Sequence, residues 1–150
     1  MKITLSLSIL LFSISIYSQK LQLNEKNNFF QFSKVVNHTD EKIAEQFYNR
    51  FQKINLTEIT ESKNNISGIG VTNHLVMGFA LVEIFYKVKI DFKPNKYRLV
   101  LTNFKLKDKN GTTPLEGSGS FKRGWIKKIN KKLPEIIQNI ENINSKDDDW

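Results

Sequence analysis

Chemistry in this chain would have to come from two histidines and fifteen carboxylates, because cysteine is absent. Without a thiol there is no cysteine nucleophile, disulfide framework, thiolate metal site or lipid-modified N-terminal cysteine. His38 and His74 stand alone, neither with a second imidazole three or four positions away, the spacing with which one helical face holds a metal. Asp40, Glu41, Glu45, Glu58, Glu61 and Glu83 fall where helix caps, helix surfaces and strand edges put solvated charge. General acid–base work needs instead a buried pair with separated pKa values. The GSGS run at 117–120 lacks the GxSxG elbow and the strand that leads into it. Gly68-Ile69-Gly70 lacks the third glycine of a dinucleotide loop, position 73 being Asn. The reading is therefore non-enzymatic, with no catalytic residue, cofactor or metal implied.

Binding chemistry is better represented. FKRGWIKKINKKL, residues 121–133, sets Lys122, Arg123, Lys127, Lys128, Lys131 and Lys132 around Trp125, Ile126 and Ile129. A basic amphipathic helix carrying Trp can lie on an anionic surface. The plainer reading, favoured here, has Trp125 and the isoleucines covering a sheet while the lysines face water. A second basic set lies in KVKIDFKPNKYRLVL, residues 87–101. There Lys87, Lys89 and Arg98, with Phe85 and Phe104, are expected on the sheet face turned away from the helices.

Those assignments depend on the elements that carry them. From Ala80 to Phe92 every even position is apolar or aromatic, which is strand periodicity. Pro94 and Asn95 suit the centre of a turn. In that register Phe92 meets Tyr97, Ile90 meets Leu99 and Val88 meets Leu101 on one face. Asp91 meets Arg98, Lys89 meets Val100, Lys87 meets Thr102 and Phe85 meets Phe104 on the other. A slip of one residue would turn the apolar set outward.

Upstream, FFQFSKVV reads as a strand, and Thr39 as the cap of a helix over 40–54 whose stripe is Ile43, Phe47, Phe51 and Ile54. Residues 56–61 and 66–72 read as a hairpin around Lys63-Asn64-Asn65. Gly68 and Gly70, on one side of the pleat, admit the close approach of a helix or another backbone. After Leu106 a Gly- and Thr-rich loop precedes a second helix with Trp125, Ile129, Leu133, Ile136, Ile140 and Ile143 on one face. Pro134 should kink that helix or begin a new one.

The first eighteen residues, one lysine followed by Ile, Leu, Phe and Ser, read as an export signal. They are too short and too serine-rich for the roughly 20 apolar residues of a membrane span. Residues 19–28 read as a polar lead-in, 29–144 as one domain and 145–150 as a flexible acidic tail. A domain of this size buries enough surface to stand without a staple. Removing Lys2 lowers the formal charge of +8 by one, so the exported protein stays basic.

The order strand, helix, four strands, helix resembles a family of secreted bacterial proteins, a domain of unknown function with a TBP-like fold. The resemblance rests on the export signal, the DEKIAEQFYNRF helix, the ISGIG strand, the long alternating strand and the PNKYRLVLTNF continuation. It implies an α+β domain, an antiparallel sheet with helices on one face, and carries no functional residue. In the TATA-binding protein the open face grips DNA. Export argues against nucleic acid, leaving a protein, glycan or anionic surface as partner; the oligomeric state is left open. The expectation is a periplasmic or extracellular binding module using the open sheet face or the basic C-terminal helix. The alternative is attachment to anionic envelope lipid or glycan through the 122–132 segment, and an enzyme with residues distant in sequence is more remote.

Overall fold

The computed structural model describes residues 20–78 and 80–143. The expected export signal and acidic tail lie outside the described residues. Seven strands and two helices follow in the order β1 (Gln22–Asn24), β2 (Phe29–Asn37), α1 (Ile43–Lys53), β3 (Thr57–Ser62), β4 (Asn65–Val76), β5 (Ala80–Lys93), β6 (Lys96–Asp108), β7 (Gly111–Pro114) and α2 (Lys122–Glu141). They form one antiparallel sheet in the order β1-β2-β6-β5-β4-β3, with β7 also pairing β6. Both helices pack on the same face.

The β5–β6 hairpin has the expected register from Lys93↔Lys96 to Lys87↔Thr102. Asn95, at the turn, has φ +60°, which Asn tolerates because its short polar side chain bonds locally. Val88, Ile90, Leu99 and Leu101 are fully buried, each contributing about 1.5–3 kcal/mol by leaving water. The core joins them to Phe47 and Phe51 of α1 and Ile129, Leu133 and Ile140 of α2.

Beyond Thr102 the register departs from expectation. Pairing resumes as Phe85↔Lys105 and Ile84↔Leu106, so Asn103 and Phe104 together oppose Tyr86. This β-bulge, with Asn103 at φ +54°, inserts one residue and switches the inward parity of β6 from odd to even. Phe104 therefore turns into the core, where it is fully buried.

Three further expectations are corrected, and one of two alternatives is ruled out. α1 begins at Ile43, three residues later than expected and without a Thr39 cap. Asp40 does the equivalent work, accepting from the Lys42 amide (2.8 Å) and the Gln46 side chain (2.6 Å). The lead-in is not free: β1 pairs β2, Leu21 is buried, and the Leu21 amide donates to Asn130 Oδ1 of α2 at 2.8 Å. The Gly- and Thr-rich loop contains β7 and two short 3-10 turns, Leu115–Gly117 and Gly119–Phe121. Of the two readings of Pro134 the new helix is ruled out, because α2 runs unbroken through it.

What approaches Gly70 is an aromatic ring rather than a helix. Gly70 pairs Tyr86, and a Cβ added there would lie 2.5 Å from the Tyr86 phenol oxygen. At Gly68 the neighbours are Leu56 and the Thr57 carbonyl.

Candidate functional site

The sheet face away from the helices is built by alternation. Residues 67, 69, 71, 73 and 75 of β4 register with 89, 87, 85, 83 and 81 of β5, and Val35 and Ser33 of β2 register with Arg98 and Val100 of β6. At the end near the β5–β6 turn, Asp91 is the hub. Lys89 Nζ lies 2.7 Å from Asp91 Oδ1, and Arg98 donates to Oδ2 through Nη2 at 2.7 Å and Nε at 3.1 Å. Burial pushes the Asp91 carboxyl up, but the hydrogen bonds from Lys89 and Arg98, and then their charges, outweigh it and hold it below its ordinary value. Val35, Asp91, Lys93, Lys96, Tyr97 and Arg98 line a hollow of about 190 Å³ there. With three cations against one carboxylate and an exposed valine at its wall, the hollow suits an acidic group carried on an apolar surface.

Midway along the face, Phe85 lies under Lys107, whose Nζ is 5.8 Å from the ring centroid and 3.1 Å from Glu83. Ser67 is covered, its hydroxyl 2.8 Å from Thr60 Oγ1.

The structure thus brings Phe85, Lys87, Lys89 and Arg98 to one face as expected, and removes Phe104 from it. Lys122, Arg123, Lys127, Lys128, Lys131 and Lys132 belong to the opposite side of the molecule, on α2. The apolar stripe of that helix is spent on the core: Ile129 and Leu133 are fully buried and Trp125 packs edge-on against His74 at 5.9 Å. Lys128 sits 4.3 Å from the Trp125 ring centroid and Lys132 pairs Glu135 at 3.3 Å. Missed by the sequence reading are Val35, Val71, Leu75 and Leu81, apolar yet exposed on the open face. The signal was present for Val35 and Leu81, which stand among mostly polar outward positions, but not for Val71 and Leu75, because the outward positions of β4 are no more polar than its inward ones.

No three His, Cys, Asp or Glu side chains gather as a metal site among the described residues, and no helix among them is long and apolar enough to cross a membrane.

Two solved structures share this arrangement of helices on one sheet face. One is a DUF4468 family protein from Bacteroides ovatus, with a TM-score of 0.60 and 14% identity over 85% of this chain and 93% of that one. The other is a TBP-like protein from Parabacteroides distasonis, with a TM-score of 0.58 and 13% identity over 81% and 96%. The fold is TBP-like. No family model matches the sequence, and no curated protein matches it. At such identities the likeness carries the TBP-like architecture alone, in agreement with the resemblance read from the sequence, and the surface residues of this TBP-like sheet have to be judged on their own chemistry.

Proposed function

We propose that the protein is an exported, non-catalytic binding module whose open sheet face takes an acidic protein or glycan partner at the hollow lined by Lys93, Lys96 and Arg98 around Asp91. One observation carries this reading: α1 and α2 cover only one face, while the other keeps a cationic hollow beside exposed Val35. An apolar side chain left in water beside organised charge is a recognition feature, because burial of the one and pairing of the other are both still available to a partner. The export signal read in residues 1–18 places that partner outside the cytoplasm and argues against nucleic acid.

The test is capture from an envelope extract with the wild-type chain, a Val35→Asp/Arg98→Gln variant and a Lys131→Gln control, with mass spectrometry of what is retained. A partner kept by wild type and control but lost by the open-face variant is the expected result. Equal retention by all three would reject the site. Turnover of a small substrate by the purified protein, abolished by Asp91→Asn, would reject the non-catalytic reading.

A further inference from the structure

Exposed apolar side chains gather at one end of the molecule, opposite the hollow. At the free end of the β4–β5 hairpin Leu75 and Leu81 face each other across the strands, 58% and 53% exposed, and Met77 in the turn is 85% exposed. Phe121, 75% exposed, precedes α2 at this same end. It lines a depression with Trp125, Val82, Leu106 and Asp108, and Trp125 touches His74, the hairpin partner of Val82.

Cations surround this tip. Lys109 is in the β6–β7 turn, Lys107 is one strand away, and Lys122, Arg123, Lys127 and Lys128 occupy the first two turns of α2. Glu83, paired to Lys107, and Asp108 are the carboxylates of these strand ends. The lysine field reaches the hairpin: burial first, then Lys128, Lys132 and Lys131, holds the His74 imidazole below its ordinary value.

We propose that this end docks on an anionic lipid bilayer, with Leu75, Met77, Leu81 and Phe121 entering the acyl boundary and Lys107, Lys109, Arg123 and Lys127 meeting headgroup phosphates. Leu75, Met77 and Leu81 project from a turn and its flanks, whereas a protein anchor residue seats in a packed pocket. A protruding apolar tip ringed by cations is what a bilayer accepts, and the formal charge, +8 for the full sequence and one less without Lys2, supplies long-range attraction to anionic headgroups. α2 contributes only its lysines, because its apolar stripe is already buried in the core. Docked this way, the Asp91 hollow stands roughly 36 Å from the Ala80 end of β5, at about 3.3 Å per residue, clear of the headgroups and open to a second partner. The docking surface shares no residue with the hollow, so the two readings fail separately.

The lack of cysteine allows a site-specific test on the chain produced with its own leader. Met77→Cys, and Val35→Cys as a control at the far end, each carry a polarity-sensitive fluorophore and are titrated with phosphatidylglycerol-containing or pure phosphatidylcholine vesicles. All variants share one N-terminus, so any contribution from residues 1–18 is common to them. The expected result is a blue shift at position 77, none at 35, and none with phosphatidylcholine. Each lysine or arginine near an anionic surface is worth roughly fivefold in affinity, so Arg123→Gln/Lys127→Gln in the Met77→Cys background should weaken the response about 25-fold. An unmoved label at 77, an equal shift at 35, or indifference to loss of the two charges overturns the proposal. So does a shift that follows protein concentration without vesicles, which would mean that a second copy covers this end. Loss of envelope capture by the Val35→Asp/Arg98→Gln variant leaves this vesicle response unchanged.

Discussion

Phe85 and Phe104 sit on neighbouring strands with opposite surroundings. Phe104 is fully buried with its ring 6.2 Å from Tyr86, while Phe85 lies on the open face beneath Lys107. Phe104→Ala should cost about 3–5 kcal/mol in a denaturation series, the usual range for an excavated aromatic. Phe85→Ala should cost about 1 kcal/mol or less, the value of an exposed cation–π contact. Equal losses would contradict the bulge. The switch could be read in the chain, since, Val100 apart, the apolar positions of this strand are odd through Leu101 and even at Phe104 and Leu106. A register extended through Asn103 without a break concealed it. Asp91 was legible as the partner of Arg98, and alternation already put Lys89 on the same face; that Lys89 also pairs Asp91 is what the side-chain geometry added.

Among elements, the β4–β5 pair depends on a missing side chain. Tyr86 occupies the space over Gly70, so Gly70→Ala forces a buried ring to move and should cost about 1–3 kcal/mol, the range for overpacking. In a Tyr86→Leu background the same change should cost measurably less, since contacting residues are non-additive. Additive losses in the double-mutant cycle would mean that the ring is not what excludes the methyl group. The long strands and both helical stripes were legible because burial on one face leaves a period in the sequence. β1 and β7 were not. Gly111–Pro114 is exposed throughout and is held by backbone pairing to β6, which imposes no hydrophobic period on its side chains.

At the scale of the molecule, Glu141 fastens the end of α2 to the sheet. It accepts from the Tyr97 phenol at 2.9 Å and pairs Lys34 at 2.6 Å. Burial, and then the Glu141 carboxylate, pushes the Tyr97 phenol above its ordinary value; burial, and then Glu135, pushes Tyr86 up to about 12. A phenol whose folded pKa is raised contributes stability that is complete below its unfolded value of 10.0 and is lost as pH rises through the folded value. Denaturation midpoints should therefore fall between pH 10 and about 12, and Tyr86→Phe/Tyr97→Phe should flatten that decline. An equally steep fall in the double variant would assign it to lysine deprotonation. The sequence by itself determined the α+β class, the central hairpin register and the inward stripes of both helices, because each is a local consequence of burying one face of a periodic element. Only the tertiary structure decided that the lead-in is a strand, and that Leu75, Met77, Leu81 and Phe121 share one end with the lysines of α2. The first rests on backbone pairing of β1 with β2 and on the bond from Leu21 to Asn130, the second on residues far apart in the chain, and neither leaves a period to read.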